Sequence, residues 1–250
     1  MKTALQLYSV RGTLLSDIPA HCKAVKDMGY DGAEFVNFGG DSVERIADAM
    51  GNAGLEVFSI HTDINEAIRC DENQLSRYAD YGCRYMPIGW LPEERLAGGA
   101  LYAETLDAVK AYSAACRKYG IQLLYHNHDF DFVNTDGKHR LDILYADTDA
   151  QTLGAELDTC WIYTGGEDPL DYLRKYAGRC PVLHLKDCVK EGGRKGFRAL
   201  GEGVLDFAPI VREAGELGVK WLCVEQDEPS PDRTPMECAK MSIDHLKTLL

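Results

Sequence analysis

The feature that most constrains the fold is a recurring pattern. A short apolar run is followed by a polar break and then by a longer segment with apolar residues at helical spacing, about eight times over in 250 residues. Eight is the number at which parallel strands joined by helices close into a barrel, and such chains commonly run to about 250 residues. The runs are ALQLYS (4–9), GAEFVN (32–37), LEVFSIH (55–61), CRYMPIGW (83–90), IQLLYHNH (121–128), LGAELDTCW (153–161), PVLHLKD (181–187) and KWLCVEQD (220–227). They lack a clean apolar/polar alternation, which suits strands covered on both faces. The helical stretches carry their own punctuation: Asp17 to Met28 closes on Gly29, Asp41 to Ala53 on Gly54, and Leu101 to Tyr119 on Gly120. A helix is expected from about Asn73 to Tyr81, another opened by Asp168 and Pro169 over Leu170 to Tyr176, another from Asp206, and a closing one from Met236 to Leu250 behind Thr234 and Pro235. No linker interrupts the series, so the expectation is one α/β domain over residues 1–250, a (β/α)8 TIM barrel. An open doubly wound sheet usually carries GxGxxG or GxxxxGK[ST] after its first strand, and SVRGTLLS is neither.

Charge and composition exclude several partners. With 27 basic and 40 acidic residues the formal net charge is −13, which repels a phosphate backbone, so nucleic acid is not an expected partner. The opening MKTALQLYSVRG is too short an apolar run for a signal peptide, and nowhere do about 18 apolar residues stand uninterrupted. The chain is therefore expected to be cytoplasmic, with no membrane partner; a homo-oligomeric state is left open. Nine cysteines are scattered singly with no CxxC pair, which reads as reduced thiols.

In a barrel of this kind the C-terminal strand ends face the active site. Ionisable and polar residues recur there: Gln6, Glu34, His61, Trp90, His126, His128, Glu156, Asp158, His184, Lys186, Asp187, Glu225, Gln226 and Asp227. Side chains two apart in a strand share a face, which pairs His126 with His128, Glu156 with Asp158, and His184 with Lys186. His126, Asp158, His184 and Glu225, one from each of the fifth to eighth units, offer two imidazoles and two carboxylates, a donor set suited to a divalent transition metal. A single histidine after a strand is more often a hydrogen-bonded loop or core residue; the coincidence over four successive strands is what points to a metal.

The segments LLYHNHDF, ELDTCW, VLHLKD, LGEGVLDF and VEQDE, in this order across essentially the whole chain, resemble the sugar phosphate isomerase/epimerase family of xylose isomerase-like TIM barrels, with its inosose dehydratase and keto-sugar branches. The resemblance implies one divalent metal ion (manganese, cobalt, magnesium or zinc) held at the mouth, with Asp158, His184 and Glu225 at the family's ligand positions. It also implies a small-molecule sugar as substrate. The fifth strand departs from the pattern: many epimerases of the family place there a glutamate that both binds metal and exchanges a proton, whereas this chain has His126. A neutral imidazole still coordinates, but the symmetric pair of carboxylate bases is lost.

The expected reaction is isomerisation or epimerisation of a keto or aldo sugar through an enediolate. Loss of water or a glycosidic group from a keto-sugar, inosose or 3-keto-glycoside is the alternative on the same site. A metal on the carbonyl and a neighbouring hydroxyl acidifies the adjacent C–H. Glu225 is the first candidate base, His128 the next, and Lys186 the candidate oxyanion stabiliser or acid, against a plain salt bridge with a residue such as Asp187. Glu34, His61 and Glu156 are expected to bind substrate, and Trp90 and Trp161 to wall a sugar ring, although buried tryptophan is more often core. In the glycine-rich loop after the seventh run, Lys190, Arg194, Lys195 and Arg198 are the candidates for attracting an anionic group, against the simpler reading of a solvated loop. Two further classes share the architecture: an endonuclease IV-like nuclease, which the net charge opposes, and a barrel that binds sugar without catalysis.

Overall fold

The computed structural model describes residues 1–189 and 196–250; Lys190, Arg194 and Lys195 lie outside the described residues. Eight parallel strands close into a barrel: β1 (Lys2–Gln6), β2 (Gly32–Val36), β3 (Glu56–His61), β4 (Tyr85–Ile88), β5 (Gln122–His126), β6 (Gly154–Asp158), β7 (Val182–Leu185) and β8 (Trp221–Val224). β8 pairs back onto β1, with Lys2 opposite Trp221 and Leu5 opposite Val224. Two short antiparallel pairs, 134–135 with 138–139 and 187–188 with 197–198, decorate the mouth loops.

The helices begin where side chains can satisfy their first N–H groups. Asp17 accepts from the Ala20 N–H, Asp168 from those of Leu170 and Asp171, Asp206 from that of Ala208, and Thr234 forms a reciprocal capping box with Glu237. Gly29 ends its helix at φ 97°, in the left-handed region glycine tolerates. The helix expected over 73–81 forms over Glu72–Asp80, and an additional helix, Ile64–Arg69, precedes it; each has its own aspartate cap, and Cys70 at φ 50° parts them. None of the nine cysteines is in a disulfide.

Most apolar residues lie between strands and helices in one large core, while Ala4, Phe58, Leu124, Val182, Trp221 and Cys223 form a smaller one inside the barrel. Ala4, Phe58, Leu124 and Val182 come from alternate strands, the layering a closed barrel imposes. With a period of two, the next inward residues toward the mouth are Gln6 on β1, Glu34 on β2, His126 on β5, Glu156 and Asp158 on β6, and His184 on β7. β3 breaks the count. Ala33 pairs with Val57 but Glu34 pairs with Ser59, so β3 spends one more residue than β2 between those pairs. This bulge lets Phe58 face inward below it and His61 face inward above it.

Candidate active site at the barrel mouth

The strand ends enclose a cavity of about 720 Å³ whose lining includes Gln6, Tyr8, Arg11, His61, Trp90, His126, His128, Trp161, Lys186, Phe197, Glu225 and Asp227. At its base His126, Asp158, His184 and Glu225 each offer a donor atom, and these four atoms lie within 4.8 Å of one another. His184 Nδ1 stands 3.1 Å from Glu225 Oε2. Asp158 is held from two sides: its N–H donates to Asn127 Oδ1, and its Oδ1 caps the following helix by accepting the Trp161 N–H. Its other oxygen, Oδ2, is buried and accepts no hydrogen bond. A buried carboxylate oxygen in that state calls for a cation, and two imidazoles with two carboxylates suit a divalent transition metal. The residues fit the metal that the sequence implies.

The cation the fold itself supplies is Lys186. It is 1% exposed, just past the end of β7, with its ammonium 2.8 Å from Glu225 Oε2, 3.4 Å from Asp158 Oδ2 and 3.2 Å from Asp227 Oδ2. The same ammonium lies 4.9 Å from the Trp161 ring centre and 5.5 Å from that of Phe197. The expected alternative, a salt bridge to Asp187, is not what forms. Asp187 instead accepts four backbone N–H groups, from Cys188, Gly201, Gly203 and Leu205. Burial opposes charge on Lys186, but Asp158, Glu225 and Asp227 outweigh it and hold the ammonium well above its ordinary pKa. Burial likewise raises Glu225, and Lys186 with His184 more than reverses this, keeping the carboxylate well below its usual range. Burial together with the neighbouring His184 and His128 holds His126 well below the ordinary histidine value, and so neutral.

Below this cluster lies a second set of ionisable residues. Glu34 and Glu156 are fully buried, and neither lines the cavity. Both were expected to bind substrate, and the fold places them among the inward-facing side chains with no exposed surface, as it does Asp158 and His184. The Glu34 and Glu156 carboxylates contact His61, His126 and His184. His61 reaches the cavity, but its Nε2 is engaged below, 2.9 Å from each carboxylate. Burial and the Glu34 charge push the Glu156 carboxyl up to about 7, while Glu34 and Glu156 outweigh burial at His61 and raise it to about 10.

Of the remaining candidates, His128 lies two residues beyond β5, its ring 5.0 Å from that of His126, 5.2 Å from that of Phe130 and 5.3 Å from that of Trp161. Trp161 is 3% exposed and forms the inner wall beside Lys186; Trp90 is 52% exposed and stands at the rim. Arg198 pairs with Asp187 in the short antiparallel ladder, away from the cavity lining. Sequence reasoning did not single out Phe197, Tyr8 or Arg11. Phe197 arrives on a long excursion with no periodic signal, and Arg11 is carried in by a short turn, where it donates to the Asp227 carbonyl and stacks on Tyr8.

Comparison with known proteins agrees with this architecture. The model of the xylose isomerase-like TIM barrel family matches residues 22–249. An inosose dehydratase from Geobacillus kaustophilus is 24% identical over 262 residues, covering 90% of this chain and 84% of its own length. One from Lacticaseibacillus casei is 30% identical over 141 residues, but that alignment spans only 46% of the relative. Among solved structures, a sugar phosphate isomerase/epimerase from Parabacteroides distasonis has the same fold at a TM-score of 0.84 and 24% identity, covering 99% of this chain and 98% of that one. The fold is also that of an IOLI protein solved with a binding zinc atom, with a TM-score of 0.74 and 14% identity over 100% of this chain and 98% of that one. Among the described residues no helix is long and apolar enough to cross a membrane.

Proposed function

This chain belongs to the xylose isomerase-like TIM barrel family, a family of sugar-processing enzymes, and from that premise we propose that it is a divalent-metal-dependent enzyme that removes the proton beside a sugar carbonyl and works through an enediolate. The observation that carries the reading is the convergence of His126, Asp158, His184 and Glu225 within 4.8 Å at the base of a cavity that also presents Lys186 and His128. Bound there, a metal supplies Lewis acidity to the carbonyl and its neighbouring hydroxyl. Of the metals the resemblance implies, zinc, cobalt and manganese suit two imidazoles with two carboxylates better than magnesium, which prefers oxygen ligands.

The protein's own groups divide the remaining work. Glu225 is ionised and faces the cavity, so it is placed to take the proton, but its ion pair with Lys186 makes it a weak base. Its basicity recovers when the ammonium turns to a substrate oxygen. Lys186 then stabilises developing negative charge or hands a proton to a departing oxygen. Trp161 and Phe197 screen that ammonium from water, and His128 offers a second proton-transfer group on the β5 side.

Two outcomes are open to the enediolate: return of the proton, giving isomerisation or epimerisation of a keto or aldo sugar, or loss of a β-leaving group from a keto-sugar, inosose or 3-keto-glycoside. The second is favoured by a specific asymmetry. The ligand carboxylate on the β8 side faces an imidazole on the β5 side, and the buried ammonium of Lys186 in the cavity is a proton donor. The inosose dehydratase relatives support this second outcome as much as the first. The test is incubation of keto sugars, inososes and 3-keto-glycosides with manganese-loaded protein in deuterated water. Solvent label in substrate or product is expected, and release of water or an aglycone separates elimination from isomerisation. Absence of label in every compound, with the metal bound, overturns the proposal. About one metal per chain is expected on analysis; about three would point to a nuclease-like cluster, and none to a binding barrel.

A further inference from the structure

The layer beneath the four-residue cluster is built from two fully buried carboxylates whose ion-pair partners among the described residues are all histidines. Each carboxylate concentrates its contacts on one oxygen. Glu34 Oε1 stands 2.8 Å from Gln6 Nε2, 2.9 Å from His61 Nε2 and 2.7 Å from His184 Nε2. Glu156 Oε1 stands 2.9 Å from His61 Nε2, 3.0 Å from His126 Nδ1 and 3.2 Å from His184 Nε2. Nitrogen and oxygen alternate around this ring. These contacts run from 2.7 to 3.2 Å, the range of hydrogen bonds, and His61, His126, Glu156 and His184 also stand close enough to share an ion, an alternative that cobalt titration separates.

Resting on the metal reading above, we infer that Glu34, His61 and Glu156 are positioning residues that fix which ring nitrogen each metal-binding histidine offers, Nε2 for His126 and Nδ1 for His184. A neutral imidazole has one N–H and one lone pair, and an ionised carboxylate only accepts. Where one nitrogen alone faces a carboxylate, that nitrogen is the N–H and the lone pair is on the other side of the ring. For His126 the occupied nitrogen is Nδ1, on Glu156. His184 faces a carboxylate on both sides, Glu34 Oε1 at 2.7 Å from Nε2 and Glu225 Oε2 at 3.1 Å from Nδ1; since Glu225 is itself at a ligand position, a cation bound there would take the Nδ1 side and leave the N–H at Nε2. His61 places one N–H between the two carboxylates and ties them together. Its ring is itself pinned: a Cβ on Gly89 would come within 2.8 Å of its Nδ1. Outer-shell carboxylates of this kind orient ligand imidazoles and raise their basicity.

The inference is tested by cobalt titration and by imidazole nitrogen NMR of the zinc-loaded protein. Wild type is expected to bind one cobalt, and Glu34→Gln and Glu156→Gln to bind one with affinity lowered about 10- to 100-fold and the fold retained. The spectra of the wild type, which need no variant, are expected to show His126 protonated at Nδ1 and His184 at Nε2. Coordination through His126 Nδ1, or wild-type affinity in both variants, overturns the positioning role while leaving the metal site standing. Two cobalt ions per chain, one of them lost in Glu156→Gln, overturn it in favour of a second metal in the lower layer. A wild-type protein that binds no cobalt overturns the metal reading and this inference with it.

Discussion

At the N-terminal end of the barrel Phe58 and Trp221 stack with ring centres 4.0 Å apart, packed against Ala4, Leu124 and Val182, and the charged residues nearby, Lys2 and Glu56, are half exposed. At the C-terminal end Glu34, Glu156, Asp158, His184 and Lys186 are buried almost completely. The first arrangement removes apolar surface from water and keeps charge where solvent screens it. The second desolvates charges, which hydrogen bonds and ion pairs only partly offset. Stability and chemistry are thus assigned to opposite ends of one barrel, and the two ends should respond differently to the same kind of insult.

Glu225→Gln is expected to cut label exchange from solvent about 10²- to 10⁴-fold with little change in unfolding midpoint. Comparable exchange rates for mutant and wild type would show that the base lies elsewhere in the mouth. Trp221→Ala should do the reverse, costing about 3–5 kcal/mol in urea denaturation while the folded fraction keeps its turnover. A smaller effect distinguishes the ends by pH. Burial pushes the Asp158 carboxyl up to about 6, with Glu225 adding to it and Lys186 opposing. A protonated carboxyl does not coordinate, so cobalt affinity should fall as pH drops below about 6, by about tenfold per unit. A flat profile from pH 7 to 5 would remove Asp158 from the ligand set. The smallest effect belongs to the surface: Glu56→Gln, which breaks the exposed pair with Lys2, should change stability by less than about 1 kcal/mol, and a larger loss would mean that the lower end also depends on its charges.

Much of this was legible in the sequence because it is written locally. The eight strands follow from short apolar runs, and the caps at Asp17, Asp168 and Thr234 from side chains that satisfy the first N–H groups of the next helix. The pairing of Glu156 with Asp158 follows from a period of two within one strand. What was not legible depends on relations between strands. That Glu34 and Glu156 are buried against three histidines depends on how the strands meet, which no single run records. That Lys186 prefers Glu225 and Asp227 to its neighbour Asp187 depends on the loop bearing Gly201, Gly203 and Leu205, whose N–H groups claim the Asp187 carboxylate. The second helix before β4 announced itself only by a lone aspartate cap, Asp63, in front of six residues.

The bulge in β3 also bears on how such sites change over generations. One residue gained or lost just ahead of Phe58 would turn the segment around His61 inside out, exporting an imidazole from the barrel and importing an aliphatic side chain, with every residue type in the motif unaltered. The lower layer would lose its bridge between Glu34 and Glu156 in a single event. Relatives that preserve FSIH letter for letter can therefore differ in whether that histidine points at chemistry at all, and a change of strand length is the mutation to look for when two such barrels diverge in activity.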